Sequence, residues 1–389
     1  MVGDKTVRIA VAMSDPNYLG GANKVTSSVI EILKRRGHEV ALCTLFKPSR
    51  GKCFQEYLEL QDVYLPTLLS KAVVKGKLLK NVIQLGSAIN DCIKKFKPHI
   101  VVCFDEPGCF RGIKDSGVAK VLYVHFPTEI KAVDNSLLHL VYRIPYWYWH
   151  YQQLPTLHAV VCNSQYTRQI TYALYQYVLP EKWKYHVIYP PVNIQEFKKP
   201  AKKENKICYV GRIDMHKGID YIVESYLRIC KEVDVQLEIV GGVTESPWSR
   251  GYYEKHFKPY ISKLQDKYPI SVKVNVPYRE VVETLLTSKV MMSYNPEEHF
   301  GIVPVEAQAA GCIPIVADGG GQRETVIHGE VGFRVQHPYE LDKYVKKILF
   351  DDDLRARISE KAKKWAENFS FDSIGNMWES LLDKLRGEG

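Results

Sequence analysis

The 389-residue sequence has no run of about eighteen apolar residues, so no segment of it is expected to span a bilayer as a helix. Its nine cysteines include no Cys-x-x-Cys, which excludes a redox motif of that kind. Cys43, Cys103, Cys162, Cys208 and Cys312 sit inside apolar runs, where a cysteine is usually a buried reduced thiol. The opening Met-Val-Gly-Asp-Lys leads straight into a strand-like run and lacks the pattern of a secretory leader. A cytoplasmic protein without a disulfide framework is therefore expected. No helix-turn-helix, zinc-finger or aromatic-strand motif is present, so nucleic acid is not an expected partner. No repeat or low-complexity segment stands out.

What is present is a soluble globular composition, 46% hydrophobic and 25% charged, with a net charge of +9. That charge is uneven. Residues 1–195 carry 24 Lys and Arg against 14 Asp and Glu, a net of +10. Residues 196–389 carry 29 against 30, a net of −1. A one-sided field of this kind suits an anionic surface or substrate.

Near-continuous apolar runs recur at Val7–Met13, Glu39–Leu45, His99–Phe104, Lys120–His125, Ala159–Asn163 and His186–Tyr189, with helical periodicity between them. Such runs are strands buried on both faces of a parallel α/β sheet. Pro-Pro-Val-Asn at 190–193 and the Lys-rich stretch to Lys206 then read as a break. A second series follows at Ile207–Val210, Gln236–Val240, Ser271–Val276, Val290–Ser293 and Ile313–Ala317, and from Pro338 onward only helices are expected. The expected architecture is α/β, two doubly wound domains facing across a cleft. The expected boundaries are 1–195, a linker at 196–205, 206–370, and a C-terminal helix at 371–389 that could pack back on the first domain.

Three segments carry chemistry. In Asn295-Pro-Glu-Glu-His-Phe-Gly-Ile-Val-Pro-Val-Glu306, a strand ends near Tyr294 and a helix should begin with Pro304 in its first turn. Gly301 allows close backbone approach, and the Ile302 and Val303 amides at a helix N-terminus attract phosphate. Glu298 in the loop and Glu306 in the first helical turn suit hydroxyl-rich groups on either side. A plain electrostatic role for Glu306 at the helix start is the competing reading. In Val210-Gly-Arg-Ile-Asp-Met-His-Lys-Gly218, Arg212 and Lys217 can both reach a diphosphate. The segment is neither Gly-x-Gly-x-x-Gly nor Gly-x4-Gly-Lys-Ser/Thr. Gly20-Gly-Ala-Asn-Lys24 follows the first strand and permits close ligand approach, as would a plain turn. The acidic run Asp351-Asp-Asp353 lies between helical segments and reads as a turn or N-cap, so no metal is expected.

At these places the sequence resembles glycosyltransferase family 4, the retaining family of the GT-B fold, with two Rossmann-like domains and C-terminal helices. The likeness rests on the double glycine, Gly-Arg-x5-Gly around Lys217, Glu-x7-Glu at 298 and 306, and Gly319-Gly-Gly-x-x-Glu324. It implies that Arg212 and Lys217 hold a donor diphosphate, Glu306 the ribose and Glu298 the transferred sugar. The backbone of Gly301–Val303 would cradle the distal phosphate, and Gly319–Gly321 would shape the loop behind the sugar with Glu324 in support. Gly20, Gly21, Gly211, His299 and Phe300 complete the implied donor surface, with Pro277 and Tyr278 at the base, mostly through backbone. Tyr123-Val-His-Phe-Pro127, Cys162-Asn-Ser-Gln-Tyr-Thr167, Tyr189-Pro-Pro-Val192 and His299 bring it nearest to the lipid-linked oligosaccharide mannosyltransferases of N-glycan assembly. His125 then stands beside the donor sugar. The implied catalytic set is His125, Glu298, Arg212 and Lys217.

The implied reaction moves a hexose, mannose from GDP-mannose, to a lipid-linked glycan or lipid acceptor without metal or further cofactor. A soluble relative using a UDP- or ADP-sugar shares every donor motif, and a silent subunit or basic nucleic-acid binder is the non-enzyme alternative. Ala22-Asn23-Lys24 departs from the Glu-Arg-like pair of those mannosyltransferases and leaves the acceptor open. Lys71-Ala-Val-Val-Lys-Gly-Lys-Leu-Leu-Lys80 and the Tyr- and Trp-rich Leu137–Leu154 suit an anionic membrane surface, ordinary core packing being the competing reading of the aromatics. A peripheral enzyme on the cytoplasmic membrane face is expected.

Overall fold

Apolar β-branched runs, buried on both faces, build two separate parallel sheets. The computed structural model describes residues 6–66, 77–111, 113, 117–127, 144, 147–244 and 246–387. Residues 71–76 of the basic stretch and Tyr142 and Tyr146 of the aromatic stretch lie outside the described residues. The chain divides into two compact units, residues 1–191 with 371–389, and residues 192–370.

The first unit holds β1 (Arg8–Ala12), β2 (Glu39–Cys43), β3 (Val63–Tyr64), β4 (Ile100–Cys103), β5 (Ala119–Val124), β6 (Ala159–Cys162) and β7 (Tyr185–Val187). They lie in the order β3-β2-β1-β4-β5-β6-β7, every pair parallel. Ala10, Val101, Leu122 and Val160 belong to its apolar core. The helix Phe371–Gly387 completes this unit. Its Trp378 is fully buried and stacks on Tyr123 with ring centroids 6.2 Å apart. Arg36 Nη2 donates to the Asp372 carbonyl at 2.9 Å and to Asn376 Oδ1 at 2.8 Å.

The second unit holds β8 (Lys206–Arg212), β9 (Gln236–Gly242), β10 (Ile270–Val274), β11 (Val290–Met292), β12 (Ile313–Ala317) and β13 (Phe333–Val335). Their order is β10-β9-β8-β11-β12-β13, again all parallel. Ile207, Ile239, Met292 and Ile315 sit in its core. The stretch read as a linker belongs to this unit. Residues Ile194–Phe197 form a 3-10 turn, and Lys203 Nζ donates to the Leu285 and Ala310 carbonyls at 3.0 and 2.9 Å. Burial pushes the Lys203 ammonium pKa down. Asp351 caps the helix Asp352–Ala366, accepting from the Leu354 amide at 2.8 Å.

All nine cysteines are free thiols, eight buried and Cys230 half-buried. Among the described residues, no helix is long and apolar enough to cross a membrane. The described aromatics of the 137–154 stretch divide their work. Tyr148 is 60% exposed, Tyr151 packs edge-on against Tyr175, and Trp149 lies 3.7 Å under the Arg111 guanidinium.

Candidate active site

In the second sheet, strands are added outward from β8 to β10, and then from β11 to β13 on the other side of β8. β8 and β11 are therefore neighbours at the point where the order reverses. In open parallel sheets, ligands lie beyond the carboxyl ends of the strands at that point. The two richest sequence motifs emerge there, Val210–Gly218 from β8 and Asn295–Glu306 after β11.

Arg212 ends β8, and its carbonyl accepts from the Tyr209 hydroxyl at 2.8 Å. Its half-exposed guanidinium lies 3.7 Å from buried Asp214. Asp214 also accepts from the His216 amide at 3.0 Å, which starts the short 3-10 turn Met215–Lys217. Gly218, at φ 62°, turns the chain into the helix Ile219–Ile229. A Cβ on Gly218 would stand 2.2 Å from the Tyr294 carbonyl oxygen, so the β8 and β11 loops are in direct backbone contact.

That contact brings together residues 81 positions apart: Lys217 Nζ donates to Glu298 Oε2 at 2.7 Å. Asn295 Nδ2 donates to the same oxygen at 3.1 Å. Burial alone would raise the Glu298 carboxyl pKa. The Lys217 charge and hydrogen bond, aided by His299 and Asn295, outweigh it and hold the group below the ordinary glutamate value.

The loop after Glu298 is anchored by Phe300, buried edge-on against Phe369 with centroids 5.6 Å apart. Gly301, at φ 87°, starts the helix Ile302–Ala309, in which Pro304 is third. The Ile302 and Val303 amides belong to the first turn, whose N–H groups have no intrahelical acceptor. Beneath this loop lie Gly319, Gly320 and Gly321. Cβ atoms there would fall 2.2, 2.1 and 2.2 Å from the carbonyl oxygens of Pro296, Glu298 and His299. The Gly321 amide donates to the Glu298 carbonyl at 2.8 Å.

Glu306 requires a correction. It is the fifth residue of its helix, beyond the first turn, and only 2% exposed. The electrostatic pull of a helix start fades within one turn, so that competing reading does not account for it. Its Oε1 instead accepts from the Tyr278 hydroxyl at 2.8 Å. Tyr278 is the first residue of the helix Tyr278–Thr287, directly after Pro277. Burial, together with the Glu306 charge, pushes the Tyr278 phenol pKa well up. Sequence reasoning placed Tyr278 at the base through its backbone and missed this side-chain bond. It also missed Asn295, for which an Asn-Pro turn signal was the one available clue.

Gly20, Gly21 and His125 belong to the first unit. Gly20 precedes the helix Gly21–Arg35, and a Cβ on Gly21 would meet nothing within 4 Å. A Cβ on Gly20 would strike the Tyr18 ring at 2.2 Å. His125 directly follows β5 with its ring against the Tyr123 ring, centroids 5.0 Å apart. Its carbonyl accepts from Asn163 Nδ2 at 2.8 Å. In the second unit, Gly211 packs at the end of β8 against the Tyr209 hydroxyl.

Comparison with known proteins bears on the family and the fold. Residues 19–196 match the model of Glycosyltransferase Family 4, and residues 192–365 that of Glycosyl transferases group 1. The chain is 25% identical over 367 residues to alpha-1,3/1,6-mannosyltransferase ALG2 of Kluyveromyces lactis, covering 82% of this chain and 71% of that protein. It is 26% identical over 216 residues to GDP-Man:Man(3)GlcNAc(2)-PP-Dol alpha-1,2-mannosyltransferase of Neurospora crassa, covering 51% of this chain and 38% of that protein. A crystal structure of a glycosyltransferase from Rickettsia africae ESF-5 has the same fold, with a TM-score of 0.73 at 19% identity over 99% of this chain and 100% of that one. The two parallel sheets and the two matched halves, a Family 4 first half and a group 1 second half, together make this chain a glycosyltransferase of the GT-B fold, a hexosyltransferase.

Proposed function

We propose that the chain is a retaining α-mannosyltransferase that takes mannose from GDP-mannose and places it on a lipid-linked glycan. The observation that carries the donor reading is the meeting of Lys217 and Glu298 at the reversal of strand order, beside the amide-rich helix start after Gly301. The names of the related mannosyltransferases support the choice of sugar and acceptor.

In this reading Arg212 and Lys217 face the diphosphate, and the Ile302 and Val303 amides hold its distal phosphate. Glu298 accepts from hydroxyls of the transferred sugar, and Glu306 from the ribose. The acceptor hydroxyl attacks the anomeric carbon from the face the diphosphate leaves. A diphosphate oxygen takes the hydroxyl proton while the anomeric carbon–oxygen bond breaks, so configuration is retained and no covalent enzyme intermediate forms. The protein contributes fixed positive charge and dipoles where charge grows on the leaving group. Because a lysine, an arginine and a helix start occupy the place a cation would take, turnover is expected to persist in chelator.

The membrane side rests on the +10 excess of residues 1–195 and on the exposure of Ile144 and Tyr148 at 56% and 60%. Both features support a peripheral position on a cytoplasmic, anionic membrane face.

The test is a transfer assay with GDP-mannose, UDP-glucose and ADP-glucose against lipid-diphosphate-linked glycan and free oligosaccharide. Transfer from GDP-mannose to the lipid-linked acceptor alone is expected. Equal use of free oligosaccharide, or preference for another nucleotide, would overturn the assignment. Co-sedimentation with anionic vesicles is expected at low salt and reduced at high salt; no binding at either would remove the membrane claim.

A further inference from the structure

Glu306 is a carboxylate that its own helix does not explain. It lies in the second turn, out of reach of the helix-start dipole, and is 2% exposed. Burying an ionised carboxylate is costly unless hydrogen-bond donors surround it. One donor comes from a distant element: Tyr278, which opens the helix following β10, reaches across 28 residues of sequence to place its hydroxyl 2.8 Å from Glu306 Oε1. The helices Tyr278–Thr287 and Ile302–Ala309 pack against each other, so neither end of this bond swings freely.

We propose that Tyr278 is a specificity-determining positioning residue, whose hydroxyl fixes the Glu306 carboxylate in the orientation that receives the vicinal diol of the donor nucleotide's ribose. The inference rests on the reading of Glu306 as the ribose ligand. A glutamate has three rotatable side-chain bonds, and holding it in one rotamer before the nucleotide arrives removes an ordering cost from binding. The gain falls on nucleotides that carry the diol, because only they meet the carboxylate with two hydroxyl donors. Burial and the Glu306 charge disfavour loss of the phenol proton, so Tyr278 stays a donor. If Tyr278 served packing alone, its ring would suffice and its hydroxyl would be dispensable.

The experiment measures binding of GDP and 2′,3′-dideoxy-GDP, and of UDP and its dideoxy analogue, by calorimetry to the wild type, Tyr278→Phe and Glu306→Gln. Selectivity is the ratio of the two affinities within one variant, so it does not depend on the fraction folded. The wild type is expected to favour the ribonucleotide. Tyr278→Phe is expected to lose about ten-fold in ribonucleotide affinity, as for a hydrogen bond to a charged group, with little change for the dideoxy form. In turnover, the donor KM should rise by more than kcat falls. If Tyr278→Phe keeps wild-type selectivity while Glu306→Gln loses it, the role of Tyr278 is overturned and the ribose reading stands. If Glu306→Gln also keeps it, or the wild type shows no selectivity, the ribose reading itself is overturned, and the inference with it.

Discussion

Lys217 and Glu298 form a pair in which the lysine sets the state of the carboxyl. Glu298 is buried enough to raise its carboxyl pKa, yet the lysine 2.7 Å away and Asn295 bring it below the ordinary value of 4.5. A depressed carboxyl stabilises the fold above its unfolded pKa, and that contribution is lost only as pH falls through the lower folded value. Replacing Lys217 with methionine leaves the burial and removes the cation, which reverses the sign. The carboxyl is then raised, and the variant loses stability as pH rises through the unfolded pKa. The difference in Tm between wild type and Lys217→Met should therefore widen from pH 4 to pH 7; parallel curves would contradict the pairing. Activity gives an independent reading of the same residue. Removing one preorganised donor from a developing negative charge typically costs about 100- to 1000-fold in rate. Lys217→Ala and Arg212→Ala are each expected to lose that much kcat while keeping a cooperative melt, and near-normal turnover in both would refute the diphosphate assignment.

At the scale of the element, the loop carrying Glu298 takes its shape from the glycines beneath it. Gly320 has φ 54°, and a Cβ there would lie 2.1 Å from the Glu298 carbonyl oxygen, so alanine would meet both backbone strain and a clash. Gly329 separates the two effects, because its φ is 79° and nothing lies within 4 Å of its Cβ position. Gly329→Ala should lower Tm with little change in turnover. Gly320→Ala should lower Tm and also cost about 100-fold in kcat, as expected when a reacting group is displaced by about 1 Å. Equal turnover in the two variants would mean that the glycines do not set the Glu298 loop. The long buried strands and the helix starts at Ile219 and Gly301 were legible because burial on both faces and turn glycines leave a local pattern. β3 was not, being two residues long, nor was β13, whose three residues Phe333-Arg334-Val335 carry a charge in the middle and so make no apolar run. Lys217 with Glu298, and Tyr278 with Glu306, are joined only by strand order. The residue types were visible in sequence, and the roles came from family likeness, but the bonds between them needed the fold.

Across the whole chain, the covalent order and the folding units disagree at one place. The last helix, Phe371–Gly387, follows every strand of the second unit yet belongs to the first. Trp378, Ile374, Leu381 and Leu382 on it are buried at 2% exposure or less. Trp378 stacks on Tyr123 of β5, and Glu379 meets His38 Nε2 at 3.0 Å. The apolar core of the first unit is thus incomplete until the final residues of the helix are in place, although its sheet is finished by Val187. Truncating a buried tryptophan to alanine removes its transfer energy and leaves a cavity, a cost of about 3–5 kcal/mol. That loss is a large share of a domain's stability and should fall on one unit. In Trp378→Ala, amide hydrogen exchange at Ala119–Val124 is expected to speed up by orders of magnitude, while exchange at Ile313–Ala317 of the second unit stays close to wild type. Equal loss of protection in both strands would mean that the two units unfold as one. Unchanged protection in β5 would mean that the last helix contributes nothing to the first core.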